Sequence, residues 1–250
     1  GRIYKPHLGI PCSPISFANA LNNALKGLNT KPSSENQINT NQAHEEYLEW
    51  GNMPLEAPNS GVDLTSAFRS LRENLEPSTI ITNGAGNYAV WGHRLFRFSQ
   101  FRTQLAPISG SMGYGLPAAI AAKLRHPNQT VIALAGDGCF QMTENEFATA
   151  VQYNAAVIVF VIDNEMYGTI RMHQHKNYKG KYKHTGLINP DFNKLAVAMG
   201  GQGYTVNNTE DFMNIFNDAK DWTSKNNLPA LLHIKTGSEM VLPGKRFNSL

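Results

Sequence analysis

The chain has 250 residues, 41% hydrophobic and 16% charged, with a formal net charge of +3. That is an ordinary globular balance, and a chain of this length buries roughly 70–75% of its unfolded surface without staples. No Lys/Arg cluster forms a nucleic-acid stripe, and Cys12 and Cys139, the only cysteines, stand in no CxxC or Cys/His spacing; nucleic-acid binding and a disulfide framework are therefore excluded as readings, and a reducing cytoplasm is the expected compartment. The longest apolar run, Ala155 to Ile162, suits a buried strand and is too short to cross a bilayer, so no membrane partner is expected.

Gly1 opens the chain without an initiator Met, and GRIYKPHLGIPCSP reads as interior sequence of a processed or truncated chain rather than as a signal peptide. A first helix is expected over Ile15–Leu28, with Ser13 as N-cap and Pro14 in its first turn. Residues 31–62 are rich in Asn, Ser, Pro, Glu and Gln and lack apolar periodicity; they read as a linker with a short helix around Glu45–Trp50. From Asp63 the pattern turns regular. Helix Leu64–Leu75 precedes strand Thr79–Thr82, which ends in NGAGN, and helix Tyr88–Phe98 precedes strand Gln104–Ile108, which ends in SGSMGYG. Helix Leu116–Leu124 then leads to strand Val131–Ala135, ending in GDG, and helix Thr143–Tyr153 to strand Val157–Ile162, ending in DNEMYG. A helix near Thr169, helix Asp191–Met199, strand Gly203–Val206, helix Asp211–Trp222 and strand Ala230–Ile234 complete the series. Short apolar strands alternating with helices predict an α/β fold, a doubly wound, mainly parallel sheet covered by helices on both faces.

Four successive strands end in Gly-rich turns. In an open α/β sheet ligands sit beyond the carboxyl ends of the strands, glycines admit close backbone approach, and helix N-termini attract anions, so these turns suit a phosphate or diphosphate. No acidic residue occurs between Glu76 and Asp137, while Arg94, Arg97, Arg102, Lys123 and Arg125 fall in that stretch; basic helix faces explain them equally well.

Asp137 stands between two glycines at a strand end. A carboxylate there repels a bare diphosphate, so unless it caps a helix it needs a cation between itself and the anion. Asn164 ends the next apolar strand, where a carboxamide oxygen can join the set. Magnesium takes six hard oxygens and usually borrows several from phosphates and water.

GDGCF at 136–140 followed by DNEMYG at 163–168 is similar to the GDG…NN cofactor motif of thiamine-diphosphate enzymes. With TNGAGNYAVWGHRLF, GSMGYGLPAAIAAKL and MYGTIRMHQ, the chain resembles the large-subunit acetolactate synthase group over roughly residues 63–240. The resemblance implies thiamine diphosphate and Mg2+ as cofactors, with Asp137, Asn164 and the Met166 carbonyl as metal ligands. It implies a cofactor site of Gly86, Asn87, Gly110, Ser111, Met112, Gly136, Asp137, Gly138, Cys139, Asn164, Met166, Tyr167 and Gly168. Met112 matches the bulky apolar residue that bends the cofactor so that its aminopyrimidine can deprotonate the thiazolium carbon; core packing is the alternative. Decarboxylation or carboligation of a small 2-keto acid is the implied activity. In this layout residues 1–30 are the tail of an upstream middle domain, 31–62 the linker, 63–240 the cofactor-binding domain and 241–250 a C-terminal tail.

The chain departs from the family pattern at three points. Asp163 replaces the first Asn of the pair, and His173 stands where acetolactate synthases carry a Trp that shapes the acceptor pocket. The activating glutamate belongs to a pyrimidine-binding domain of another subunit, so a homodimer or homotetramer is implied and no complete catalytic set lies in this chain. HEE at 44–46 reads as solvated linker rather than as that glutamate, and His173 with His175 as a solvated helix end rather than a metal pair. A dinucleotide site at Gly84, Gly86 and Ala89 lacks the acidic residue about 20 positions on. A hydrolase elbow at Ser111 lacks the Gly two residues earlier. A non-catalytic cofactor-binding or assembly module remains the alternative.

Overall fold

The computed structural model describes residues 1–28 and 31–249, in two compact units, Gly1–Glu49 and Trp50–Leu250. The expected domain limit between residues 30 and 31 and the last residue of the tail fall at least partly outside the described residues.

In the first unit, α1 spans Pro14–Leu25, with the Ser13 hydroxyl accepting from the Ser16 N–H and Pro14 opening the helix. Its end comes three residues before the expected Leu28. The expected linker differs more. Residues Ser34–Asn52 form one helix, α2, where the sequence predicts only a short helix around Glu45–Trp50. Its stability is local: Gln37 donates to Asn41, Gln42 to Glu46, and no Gly or Pro interrupts it before Gly51. Such i,i+4 pairs leave no apolar stripe for periodicity to detect. Glu45 and Glu46 lie exposed on this helix.

The second unit follows the expected alternation: α3 (Leu64–Asn74), β1 (Ile80–Asn83), α4 (Ala89–Leu95), β2 (Gln104–Leu105), α5 (Gly115–Arg125), β3 (Val131–Gly136), α6 (Asp137–Phe140), α7 (Glu146–Gln152), β4 (Ile158–Asp163), α8 (Gly168–Tyr178), α9 (Phe192–Ala198), β5 (Gln202–Val206), α10 (Phe212–Asn226) and β6 (Ala230–Lys235). The six strands form one sheet in the order β2-β1-β3-β4-β6-β5, parallel at every pairing. Successive residues of β4 feed opposite faces. Ile158, Phe160 and Ile162 pack with Phe68, Trp91, Phe212 and Phe216 from α3, α4 and α10. Val159 and Val161 pack with Leu116, Phe147 and Phe192 from α5, α7 and α9. Burial on both faces is why these strands read as unbroken apolar runs. Phe160 anchors the first layer edge-to-face against Phe212 and Phe216, with centroids 5.7 and 5.9 Å away.

Three local expectations fail for identifiable reasons. β2 is an edge strand of two residues, not five: Pro107 has no N–H to donate, and Ile108 points fully into solvent. The helix expected over 143–153 is shorter, and a separate four-residue turn, α6, precedes it. Residues 241–250 are not a simple tail: β7 (Met240–Leu242) and β8 (Lys245–Arg246) make a hairpin turned by Gly244 at φ +70°. Arg246 fixes that hairpin to the end of the expected linker through Glu56 (3.0 Å) and the Ala57 carbonyl (2.7 Å).

The connection after β1 runs outward to β2, and the next crosses back to β3. The order in which strands are added to the sheet therefore reverses between the parallel neighbours β1 and β3, and a ligand crevice opens at such a switch point.

Candidate cofactor site

The carboxyl ends of β1, β3 and β4 meet at a cleft. β3 delivers Asp137 into it, almost fully buried at 2% exposure. One carboxylate oxygen accepts from the Gly138 N–H at 2.8 Å, the other from Asn189 Nδ2 at 2.8 Å. A carboxylate has about four acceptor sites, so both oxygens keep capacity. Burial pushes the Asp137 carboxyl up to about 6; its two hydrogen bonds pull down, and the nearby Asp163 charge pushes up again.

β4 delivers the DNEMYG turn. The Glu165 N–H donates to Asp163 Oδ1 at 3.0 Å, and Glu165 takes a left-handed φ of 58°. The turn is then clamped to residues 185–187: Tyr167 N–H donates to the Thr185 carbonyl (2.9 Å), and Leu187 N–H to the Glu165 carbonyl (2.8 Å). Asn164, Met166, Tyr167 and Gly168 consequently line the cleft. Asp163, by contrast, points inward. His233 Nε2 (2.7 Å) and Lys235 Nζ (2.5 Å) both donate to its Oδ2, tying β4 to β6. Burial alone would raise its carboxyl, but these partners hold it below the usual carboxylate range. The Asp for Asn departure thus comes with its own countercharge.

β1 ends in the turn that carries Ala85, Gly86, Asn87 and Tyr88 into the lining. Several glycines here make room for a side chain. A Cβ at Gly84, Gly86 or Gly136 would fall 2.6–2.8 Å from the Tyr88 side chain, so all three make room for Tyr88. Gly138 likewise gives way to the Tyr167 ring. Among the described residues the buried Tyr88 hydroxyl has no hydrogen-bond partner, and burial raises its pKa so that it stays neutral. Across the cleft, Thr169 Oγ1 accepts from the Asn87 N–H (2.9 Å) and donates to Asn87 Oδ1 (2.9 Å). That pair fixes the Asn87 amide, leaving its Nδ2 near Met172 Sδ at 3.6 Å.

Every residue expected in the cofactor site lines this cleft except Gly110 and Ser111. Those two are exposed, in a turn where Gly110 has φ +70° and the Ser109 and Ser111 hydroxyls lie 3.3 Å apart. Met112 is half-buried, lining the cleft and packing on the core. Cys139 is buried, its thiol donating to the Ala85 carbonyl at 3.0 Å and raised by that burial. None of Arg94, Arg97, Arg102, Lys123 and Arg125 reaches the lining. Arg94 covers the Trp50 ring at 4.6 Å, Arg97 bonds Asn52 and Lys123 bonds the Gln129 carbonyl; the basic stretch is structural. His175 is bonded rather than solvated, its Nδ1 lying 2.5 Å from the Tyr182 hydroxyl, while His173 is exposed. Sequence reasoning missed Asn189, Thr169 and Tyr88. Asn189 and Thr169 act across loops 52 and 82 residues apart in the chain, a separation no local pattern signals.

Residues 84–234 match the family model described as thiamine pyrophosphate enzyme, C-terminal TPP binding domain. The chain belongs to that family. Among curated relatives, the acetolactate synthase catalytic subunit, mitochondrial, of Aspergillus candidus is 37% identical over 182 residues, 72% of this chain and 26% of the relative. The acetolactate synthase large subunit of Porphyra purpurea is 30% identical over 253 residues, 98% of this chain and 42% of the relative. A solved thiamine diphosphate-dependent 4-hydroxybenzoylformate decarboxylase of Rhodococcus jostii RHA1 superposes with a TM-score of 0.67 at 26% identity, covering 74% of this chain and 34% of that one. The chain spans less than half the length of each. Its matched part is the C-terminal TPP-binding domain, and the chain is similar to acetolactate synthases, as the motifs suggested. The dinucleotide and hydrolase readings fall away: Gly84 and Gly86 seat a tyrosine, and Ser111 lies outside the cleft. Among the described residues no helix is long and apolar enough to cross a membrane.

Proposed function

We propose that this chain is the part of a 2-keto acid decarboxylase or carboligase that anchors thiamine diphosphate through Mg2+. One observation carries the reading: among the described residues lining the cleft, the only charged side chain is a buried carboxylate, Asp137. A diphosphate beside it, with no lysine or arginine in the lining, is tolerable only through a cation. Asp137, the Asn164 carboxamide and the Met166 carbonyl are the hard oxygen donors that magnesium prefers, and phosphate and water complete such a set. No cluster of three His, Cys, Asp or Glu side chains occurs among the described residues, which suits a metal held by one carboxylate and the diphosphate itself.

The cofactor, when bound, supplies the electron sink for breaking the bond next to a keto group. This chain holds and orients it. Asn87, fixed by Thr169, Met112 and Tyr88 line the cleft that would receive it, Met112 as an apolar bearing surface. Activation would come from a glutamate of a pyrimidine-binding domain in another subunit, so the working unit is a homodimer or homotetramer. The domain division proposed is residues 1–30 as the tail of a middle domain, 31–62 as connection and 63–240 as the cofactor-binding domain. A reducing cytoplasm is the assigned compartment, supported by two free thiols, Cys12 and Cys139.

Thermal melts of the assembled protein test the metal assignment. A ligand at 100 times its dissociation constant stabilises by about 2.7 kcal/mol. The midpoint should rise with thiamine diphosphate plus magnesium and stay flat with a chelator. Asp137→Ala should abolish the rise and Asn164→Ala should weaken it. An equal, magnesium-dependent rise in wild type and Asp137→Ala would sink the assignment.

A further inference from the structure

The two carboxylates at the cleft end of the sheet, Asp137 on β3 and Asp163 on β4, share a single donor. Asn189 Nδ2 lies 2.8 Å from Asp137 Oδ2 and 2.7 Å from Asp163 Oδ1. An amide nitrogen carries two protons, so each carboxylate receives one. The amide cannot turn over without loss, because Asn189 Oδ1 accepts from Gln141 Nε2 at 3.0 Å. Its backbone is placed by the same clamp that shapes the metal turn, the bonds of Tyr167 to Thr185 and Leu187 to Glu165. Asp163 Oδ2 is already taken by His233 and Lys235. One side chain therefore sets the spacing between the strand end that bears Asp137 and the turn that bears Asn164 and Met166.

We propose that Asn189 is a positioning residue of the magnesium site, bridging Asp137 and Asp163 so that the ligands on β3 and on the β4 turn stay in register. The proposal rests on the magnesium reading above. It assigns Asn189 no contact with the metal: the bridge uses one acceptor site on each Asp137 and Asp163 oxygen it touches and leaves the rest of Asp137 open to a cation. Groups that orient metal ligands from behind typically govern affinity by 10–100-fold. Without the bridge, two buried like charges face each other with no common donor, and the turn moves away from Asp137.

The test is a magnesium titration of the assembled protein at saturating thiamine diphosphate, read by tryptophan fluorescence and by the EPR spectrum of bound Mn2+ in place of magnesium. Asn189→Leu should raise half-saturation about 10–100-fold, and saturating metal should restore cofactor affinity. Asn189→Ser, which keeps one donor proton and can serve one carboxylate, should lie between; it also guards against a fold defect in the leucine variant. Melts without metal separate a global loss of stability from a metal-specific one. Combining Asn189→Leu with Asp163→Asn should cost less than the two effects added, because the facing charge is gone. Unchanged half-saturation in both Asn189 variants, or strictly additive effects, overturns the proposal while leaving the magnesium reading intact. A wild type indifferent to magnesium overturns both.

Discussion

Burying the Asp137 carboxylate costs stability, and Asp137→Asn measures that cost. The carboxyl is raised from its ordinary 3.8 to about 6, chiefly by burial. Below pH 4 it is protonated in the folded and unfolded chains alike and contributes nothing. Between about pH 4 and 6 the unfolded chain releases the proton while the folded chain keeps it. The folded state then binds more protons than the unfolded one, and stability falls as pH rises. Above about pH 6 the loss is complete, about 3 kcal/mol at 1.36 kcal/mol per pKa unit. Asparagine avoids this loss and can still accept from the Gly138 N–H, but its Nδ2 meets the Asn189 donor, forfeiting about 1 kcal/mol. The metal-free variant should therefore be more stable than wild type by about 1–2 kcal/mol at pH 7.5, with the advantage shrinking toward pH 4. Chemical unfolding of both proteins in chelator across pH 4–8 reads the difference. The asparagine variant should at the same time lose its response to thiamine diphosphate and magnesium. A variant no more stable than wild type at pH 7.5, or an advantage that does not change with pH, refutes the reasoning.

Tyr88→Phe removes a buried hydroxyl that has no partner while keeping the ring in its seat, so the variant should be stabilised by about 1 kcal/mol in calorimetry. Gly86→Ala places a methyl 2.6 Å from that ring, in a turn with no slack; a loss of about 1–3 kcal/mol and a reduced cofactor-induced shift are expected in the same melts.

The alternation of strands and helices after Asp63 was legible because each central strand is buried on both faces and each covering helix on one. Val131–Gly136 and Ile158–Asp163 read as uninterrupted apolar runs for that reason. The glycines and acid of 136–138, with Asn164 one strand later, were legible because Gly-rich turns at strand ends stand out from the apolar runs before them, and the structure brings those residues to one cleft. Polar local order was not legible. α2 hides because its pairs run along its own surface, and the C-terminal hairpin hides because Arg246 stabilises it through residues 56 and 57.

The meaning of several legible residues also depended on contacts far away in sequence. Glycines that suggested a ligand's approach turn out to accommodate Tyr88, and arginines that suggested anion binding hold Trp50 and Asn52. Asp163 looked like a lost amide until His233 and Lys235 appeared beside it across the sheet. Sequence by itself determined which strand ends carry Gly-rich turns and the Asp137 and Asn164 positions, since periodicity and turn residues act over a few neighbours. Only the tertiary structure decided which side chains surround Asp137, because burial and shared donors such as Asn189 arise when strands and loops distant in the chain are packed side by side.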